Sequence, residues 1–261
     1  MLTLTTLASG SSGNCTLLSD GETHLLLDAG ISCRRICTAL AALKIAPESL
    51  SAVLITHEHS DHISGLATLH KRFQLPIYTS PGTARQLCYR IAALEDVVRP
   101  CPPGNSFTAG GLDIETFPIS HDAAEPMGFA VSDGNRKAAL VTDLGVVTEA
   151  VRRGMAGAQL VLVEANHDVE WVRSGPYPYY LKERILGRQG HLSNEDGGAL
   201  ALGAVQSGAR TVVLGHLSRK NNTPQRAFNA VNAILSAYGP REAGLTLSVA
   251  PRDQTGPVYT V

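Results

Sequence analysis

Thr56-His57-Glu58-His59-Ser60-Asp61-His62 crowds four potential metal ligands, His57, His59, Asp61 and His62, into one turn directly after the apolar run at 53–56. Residues two apart on a strand face the same side, so His57 and His59 aim their imidazoles at one ion, and the turn that follows aims Asp61 and His62 at a second. A solvated histidine-rich loop, or helix capping by Asp61, accounts for single members but not for the cluster. Histidine and carboxylate donors without a thiolate suit zinc, and equally manganese or iron. The cofactor expectation is therefore two divalent metal ions per chain.

Outward from this cluster, β-like runs stand at 2–8, 15–18 and 24–28, the first two separated by the turn-rich Ser9-Gly10-Ser11-Ser12-Gly13-Asn14. Helical spacing of apolar residues covers 33–43 and 62–73, and Ser80-Pro81 opens a further helix. Proline and glycine at 100–104 mark a loop. Runs at 112–117, 127–132 and 137–142 predict an antiparallel meander, its last two strands joined at Asp133-Gly134-Asn135. Then come a buried strand at 159–164, a helix at 193–206 starting Ser-x-x-Asp, and a buried strand at 211–215 that ends just before His216. Strands alternate with helices both before and after the meander. This pattern predicts an α/β (α+β) chain folded as a four-layer αββα sandwich, with 1–261 forming one domain.

A formal net charge of -1 gives no global field that would steer a polyanion, so any nucleic-acid contact must be local. The five cysteines, Cys15, Cys33, Cys37, Cys88 and Cys101, include no CxxC pair and read as reduced and mostly buried. No apolar run approaches the roughly 20 residues of a membrane helix, and the first residues lack a secretory pattern, so the expectation is a cytoplasmic protein without membrane association. Oligomeric state, monomer or dimer, is open.

HxHxDH after a strand, preceded by Leu27-Asp28-Ala29-Gly30, resembles the signature of the metallo-β-lactamase superfamily, and the resemblance runs through Ser120-His121-Asp122, Thr142-Asp143-Leu144-Gly145 and Gly215-His216. It implies the metallo-β-lactamase fold, with His57, His59 and His121 on one ion, Asp61, His62 and His216 on the other, Asp143 bridging both, and Asp28 bracing the ligand loop. Two neighbouring ions can share a hydroxide and clamp both the attacking and leaving oxygens of a phosphodiester, so hydrolysis is the expected chemistry. By the same resemblance Asp61 is a catalytic candidate that orients or deprotonates the water. His191, in Gly190-His191-Leu192-Ser193 just ahead of a helix N-terminus, is the general-acid candidate. It is similar in place to a catalytic histidine of the transfer-RNA processing branch.

Finer matches, Ser9 to Asn14, Glu164-Ala165-Asn166-His167-Asp168, Gly175-Pro176-Tyr177-Pro178-Tyr179, the GHLSNED starting at Gly190 and the GHLSRKNN starting at Gly215, resemble the YycJ/WalJ-like nucleases. That resemblance implies a cytosolic, metal-dependent DNA exonuclease working from 5′ ends, linked to DNA repair or cell-wall regulation. Candidate substrate contacts are Asn14, Asn166, His167, Ser218, Arg219 and Asn221, with Arg173, Lys182, Arg184 and Arg188 as local positive charge. Two enzymatic alternatives share the ligand set: a phosphodiesterase for cyclic or dinucleotides, and a glyoxalase-II-like thioesterase. A non-catalytic scaffold is disfavoured because every ligand is present. His24 and His70 fall outside the pattern.

Overall fold

The computed structural model describes residues 1–237 and 244–261 and contains two seven-stranded sheets packed face to face. The first is built from β1 (Thr3–Ala8), β2 (Cys15–Ser19), β3 (His24–Leu27), β4 (Leu50–Leu54), β5 (Ile77–Thr79) and β6 (Val98–Pro100), with β14 (Tyr259–Thr260) at its edge beside β1. The second contains β7 (Ser106–Ala109), β8 (Leu112–Pro118), β9 (Met127–Ser132), β10 (Lys137–Val141), β11 (Leu160–Glu164), β12 (Thr211–Gly215) and β13 (Thr246–Val249), in that order across the sheet. Each sheet starts antiparallel and continues parallel. β1, β2 and β3 run antiparallel before β4, β5 and β6 join in parallel, and β7 to β10 run antiparallel before β11, β12 and β13 do the same. The expected meander is present in this second sheet.

Two-residue periodicity explains the layering. In β3, Leu25 and Leu27 face the second sheet while Leu26 faces outward; in β11, Leu160 and Leu162 face inward while Val161 and Val163 face outward. The outward leucines and valines are covered by helices, which is why these strands read as continuous apolar runs. α1 (Cys33–Ala42), α3 (Leu66–Phe73) and α4 (Pro81–Arg90) cover the first sheet through Ile36, Leu40, Leu66, Leu69 and Leu87. α5 (Glu149–Met155), α8 (Asn194–Gln206) and α9 (Pro224–Ala237) cover the second through Val151, Met155, Leu200, Val231 and Leu235. Each fully buried aliphatic side chain contributes roughly 1.5–3 kcal/mol. The result is the expected αββα sandwich.

One helix differs from expectation. The pattern at 62–73 is two helices, α2 (Ser60–Ile63) and α3, broken at Ser64-Gly65. Gly65 donates its N–H to the Ala29 carbonyl at 2.8 Å, and a Cβ there would lie 2.0 Å from the Ile31 carbonyl oxygen. The chain passes too close to the 29–31 loop for one helix to run through. Elsewhere the caps match their sequence signals, Ser80 accepting from Thr83 N and Ser193 from Asp196 N; Asp168 accepts from Trp171 N at the start of α6 (Val169–Ser174).

Candidate metal centre

The C-terminal ends of the strands converge on one rim, and the ligand candidates sit just beyond them. Asp28 follows β3, His57 follows β4, His121 follows β8, Asp143 follows β10, and His216 follows β12, while Glu164 ends β11. Asp28, Asp143 and His216 adopt left-handed backbone, with φ of 61°, 61° and 54°. Glycine would take that conformation without cost, so a functional side chain is being held there against backbone strain. The sharp turn at each strand end is what swings these side chains into a common space.

Every buried histidine of the cluster has one ring nitrogen engaged and the other turned inward. His62 Nδ1 meets Asp28 Oδ2 at 2.8 Å, and His57 Nδ1 meets Thr56 Oγ1 at 3.0 Å. Asp28 in turn accepts the Thr56 N–H at 2.9 Å, so this carboxylate holds the ligand loop as expected. His121 Nδ1 donates to the Gly190 carbonyl at 3.1 Å, and His216 Nδ1 meets Glu164 Oε1 at 2.8 Å. Such contacts orient the rings so that each Nε2 turns toward the shared space.

These donors fit metal ions. His57, His59 and His121 form one group whose ligand atoms lie within 4.8 Å of one another; Asp61, His62 and His216 form another, and Asp143 joins His57 and His62 in a third. Asp143 Oδ2 is 3.3 Å from His62 Nε2, and its Oδ1 is 3.4 Å from His216 Nε2 and 3.8 Å from His121 Nε2. Buried His57 Nε2, His216 Nε2 and Asp143 Oδ2 have no hydrogen-bond partner, a cost that a bound cation removes. Burial lowers the pKa of His216, but the Asp143, Asp61 and Glu164 carboxylates outweigh it and push it up to about 10. Asp143, Asp61 and Glu164 thus gather negative charge around His216. Burial would raise Asp143, yet His216 and His62 hold its carboxyl well below the ordinary range.

His191 stands beside the cluster, its ring 5.1 Å from that of His121 and 5.3 Å from that of His216, in a cavity of about 210 Å³ that is also lined by Ser11, His59, Asp61, His121, Asp122, Asp143 and Arg184. Its Nδ1 is 2.9 Å from Glu164 Oε1. Burial lowers the pKa of His191, and the adjacent Glu164 charge and hydrogen bond more than reverse this, leaving it raised. Glu164 is fully buried and its Oε2 also accepts the Leu144 and Leu192 N–H groups at 3.1 and 3.0 Å. Burial would raise its carboxyl, but His191 and His216 bring it down to about 2. Glu164 therefore ties the loop after Asp143, the loop carrying His191, and His216 together. In the sequence Glu164 stands in a motif without an assigned role; its signal is an acid terminating an otherwise apolar buried strand. A larger, more apolar cleft of about 460 Å³ between α5 and α8 holds none of these groups.

The remaining candidates divide between bracing and surface. Asn14 accepts the Gly10 N–H, its backbone N–H donates to the Asp61 carbonyl at 2.8 Å, and its Nδ2 lies 3.1 Å from His62 Nε2. Ser9 of the same turn accepts the His216 N–H at 3.0 Å. Asn166 Nδ2 donates to the His216 carbonyl at 2.8 Å, and His167 is buried with its Nδ1 unpartnered. Ser218 Oγ accepts the Asn221 N–H at 3.2 Å, and both residues are buried, whereas Arg219 is exposed. The SNED and RKNN motifs meet through Asn194 and Asn222, whose amides pair at 2.8 and 3.2 Å. Of the basic residues, Arg184 on α7 (Tyr179–Leu186) reaches the cavity and pairs with Asp122; Arg173 pairs with Glu170. His24 and His70 lie outside the cluster, His24 bonded to Ser19 Oγ at 2.8 Å.

Comparison with known proteins places this geometry. The family model described as the beta-lactamase superfamily domain matches residues 23–217. The chain is 36% identical over 241 residues to Exodeoxyribonuclease YycJ of Bacillus anthracis, with 89% of each chain covered. It is 39% identical over 235 residues to Exodeoxyribonuclease WalJ of Streptococcus pneumoniae serotype 2, covering 88% of this chain and 87% of that one. The metallo-beta-lactamase fold protein YhfI from Bacillus subtilis superposes with a TM-score of 0.74 at 18% identity, covering all of both chains, a likeness of fold. The chain belongs to the beta-lactamase superfamily and, within it, to the family of YycJ and WalJ.

Proposed function

We propose that the protein is a DNA exonuclease that hydrolyses phosphodiesters at a centre of two divalent ions, zinc, manganese or iron. His57, His59 and His121 would hold one ion, Asp61, His62 and His216 the other, and Asp143 both. The observation that carries the chemistry is the convergence of these donors beside His191; DNA as substrate follows from relatives named exodeoxyribonucleases at 36–39% identity over most of the chain. Bound ions would supply Lewis acidity, lowering the pKa of water and neutralising the phosphate.

The chain's own groups do the rest. Asp61 is partly exposed in the cavity, where its carboxylate orients the attacking water and takes its proton. The phosphorus–oxygen bond to the leaving nucleoside breaks, and His191 Nε2 gives that oxygen a proton. Glu164 fixes the His191 ring and favours its protonated form, the state an acid needs at neutral pH. On α7, Tyr179 and Tyr180 are exposed one to two turns from Arg184, an arrangement in which bases stack while the guanidinium meets phosphate. All five cysteines are unpaired, as suits the reducing cytoplasm, and no helix among the described residues is long and apolar enough to cross a membrane.

The test supplies manganese- or zinc-loaded protein with DNA labelled at either end, matched RNA, a cyclic dinucleotide and an acyl-glutathione. Stepwise shortening of DNA from one end supports the reading and reports its polarity. Intact DNA beside turnover of the dinucleotide or the thioester overturns it.

A further inference from the structure

Glu58 stands between the ligand candidates His57 and His59, yet its carboxyl group bonds to residues outside the ligand cluster. The residue is buried, with an exposure of 6%. Oε1 accepts the Ala124 N–H at 2.9 Å, and Oε2 accepts the Thr83 hydroxyl of α4 at 3.3 Å. The Glu58 carbonyl takes a further bond, at 2.8 Å, from Arg90 Nη1 at the far end of α4. A buried carboxylate is costly unless its bonds are made, and those made here join the turn of His57 and His59 to one loop and one helix.

That loop, 119–126, connects β8 to β9 and carries His121. Its base is closed by the Ile119 N–H on the Pro126 carbonyl at 3.2 Å. On one flank Glu125 is seated on the start of α4: its Oε2 accepts the Gly82 N–H and its carbonyl accepts the Ser80 hydroxyl, both at 2.6 Å. On the other flank the loop bonds to the segment just before His191. Ser120 Oγ donates to the Arg188 carbonyl at 2.7 Å, the Asp122 N–H to that of Gln189 at 3.2 Å, and His121 Nδ1 to that of Gly190 at 3.1 Å. One loop therefore links Glu58 to the acid candidate, and Glu58 holds it at Ala124.

We propose that Glu58 is a positioning residue of the reaction: by fixing the Ala124 N–H it sets His121 against His57 and His59, and through the same loop it sets His191 against the metal position. The proposal rests on the two-ion reading of the site. The rings it relates are close, that of His121 lying 4.9 Å from His57, 5.0 Å from His59 and 5.1 Å from His191. A displacement of about 1 Å is enough to spoil such an arrangement. What the bonds require is a hydrogen-bonding group of this length. A glutamine amide can accept from Ala124 and donate to the Thr83 hydroxyl; alanine can do neither.

Glu58→Gln and Glu58→Ala are compared with wild type and His59→Ala by calorimetric titration of the metal-free proteins with Mn²⁺ and Zn²⁺, and by kcat and KM on DNA at saturating metal. The expected result for Glu58→Ala is roughly tenfold or greater weakening of one of two ions and a kcat lowered by about 10–100-fold with KM little changed. Glu58→Gln stays near wild type. If Glu58→Ala does not fold, Glu58→Asp, one methylene too short to reach Ala124, takes its place with the same expectation. Unchanged affinity for both ions with kcat retained, or losses in Glu58→Gln equal to those in the shortened variant, would overturn the proposal. Fewer than two ions in wild type, or two retained in His59→Ala, would overturn the site reading, and this proposal with it.

Discussion

Glu164 and His191 show how a single buried charge sets up a proton donor. The carboxylate reaches the imidazole from 27 residues away in sequence, His216 from 52 and the Leu144 N–H from 20. If His191 protonates the leaving oxygen, His191→Ala lowers kcat on DNA by about 10²–10⁴-fold while metal content stays complete. A p-nitrophenyl nucleotide ester, whose leaving group departs without a proton, should lose far less; an equal loss on both substrates contradicts the acid role. Such long-range convergence is why Glu164 carried no legible role in the sequence, whereas His57, His59, Asp61 and His62 did: their chemistry is contained in one turn. Asp143 and His216 lie between, single residues at strand ends whose meaning came from order and from the family resemblance.

At the scale of elements, close backbone approaches decide where glycine is required. A Cβ on Gly30 would lie 1.6 Å from the Asp61 carbonyl oxygen, so Gly30→Ala must push α2 and its ligands outward. It should cost about 3 kcal/mol or more and lower metal content together with the melting temperature. Gly203, inside α8, has nothing within 4 Å of its missing Cβ, and Gly203→Ala should stabilise by about 0.5–1 kcal/mol without touching activity. Thermal unfolding of the two variants checks both signs. The same close packing explains the break at Gly65, which helical spacing of Ile63, Leu66 and Leu69 could not reveal. β14 was unreadable for another reason: a two-residue strand has no period, and it exists because Leu4 and Thr3 of β1 pair with Tyr259 and Thr260 across the whole chain.

For the molecule as a whole, the two-sheet sandwich was legible because its parallel strands are apolar on both faces and its helices sit between them in sequence. Global stability carries a further signature. Burial lowers the pKa of His167 to about 4 from an ordinary 6.5, so the unfolded chain binds the proton first as pH falls. Its contribution is fully present above about pH 6.5 and is lost on descending toward pH 4, by about 3 kcal/mol at most. Denaturant unfolding of wild type and His167→Gln across that window should show the variant's stability falling less steeply; parallel curves contradict the assignment. The central claim is that the histidines and aspartates of the rim hold the ions that cut DNA. Its most direct test is metal stoichiometry by elemental analysis, paired with degradation of end-labelled DNA, in wild type and His59→Ala. Two ions and DNA shortening in wild type, with one ion and no turnover in the variant, is the predicted result; full metal content or undiminished cleavage in His59→Ala would contradict it.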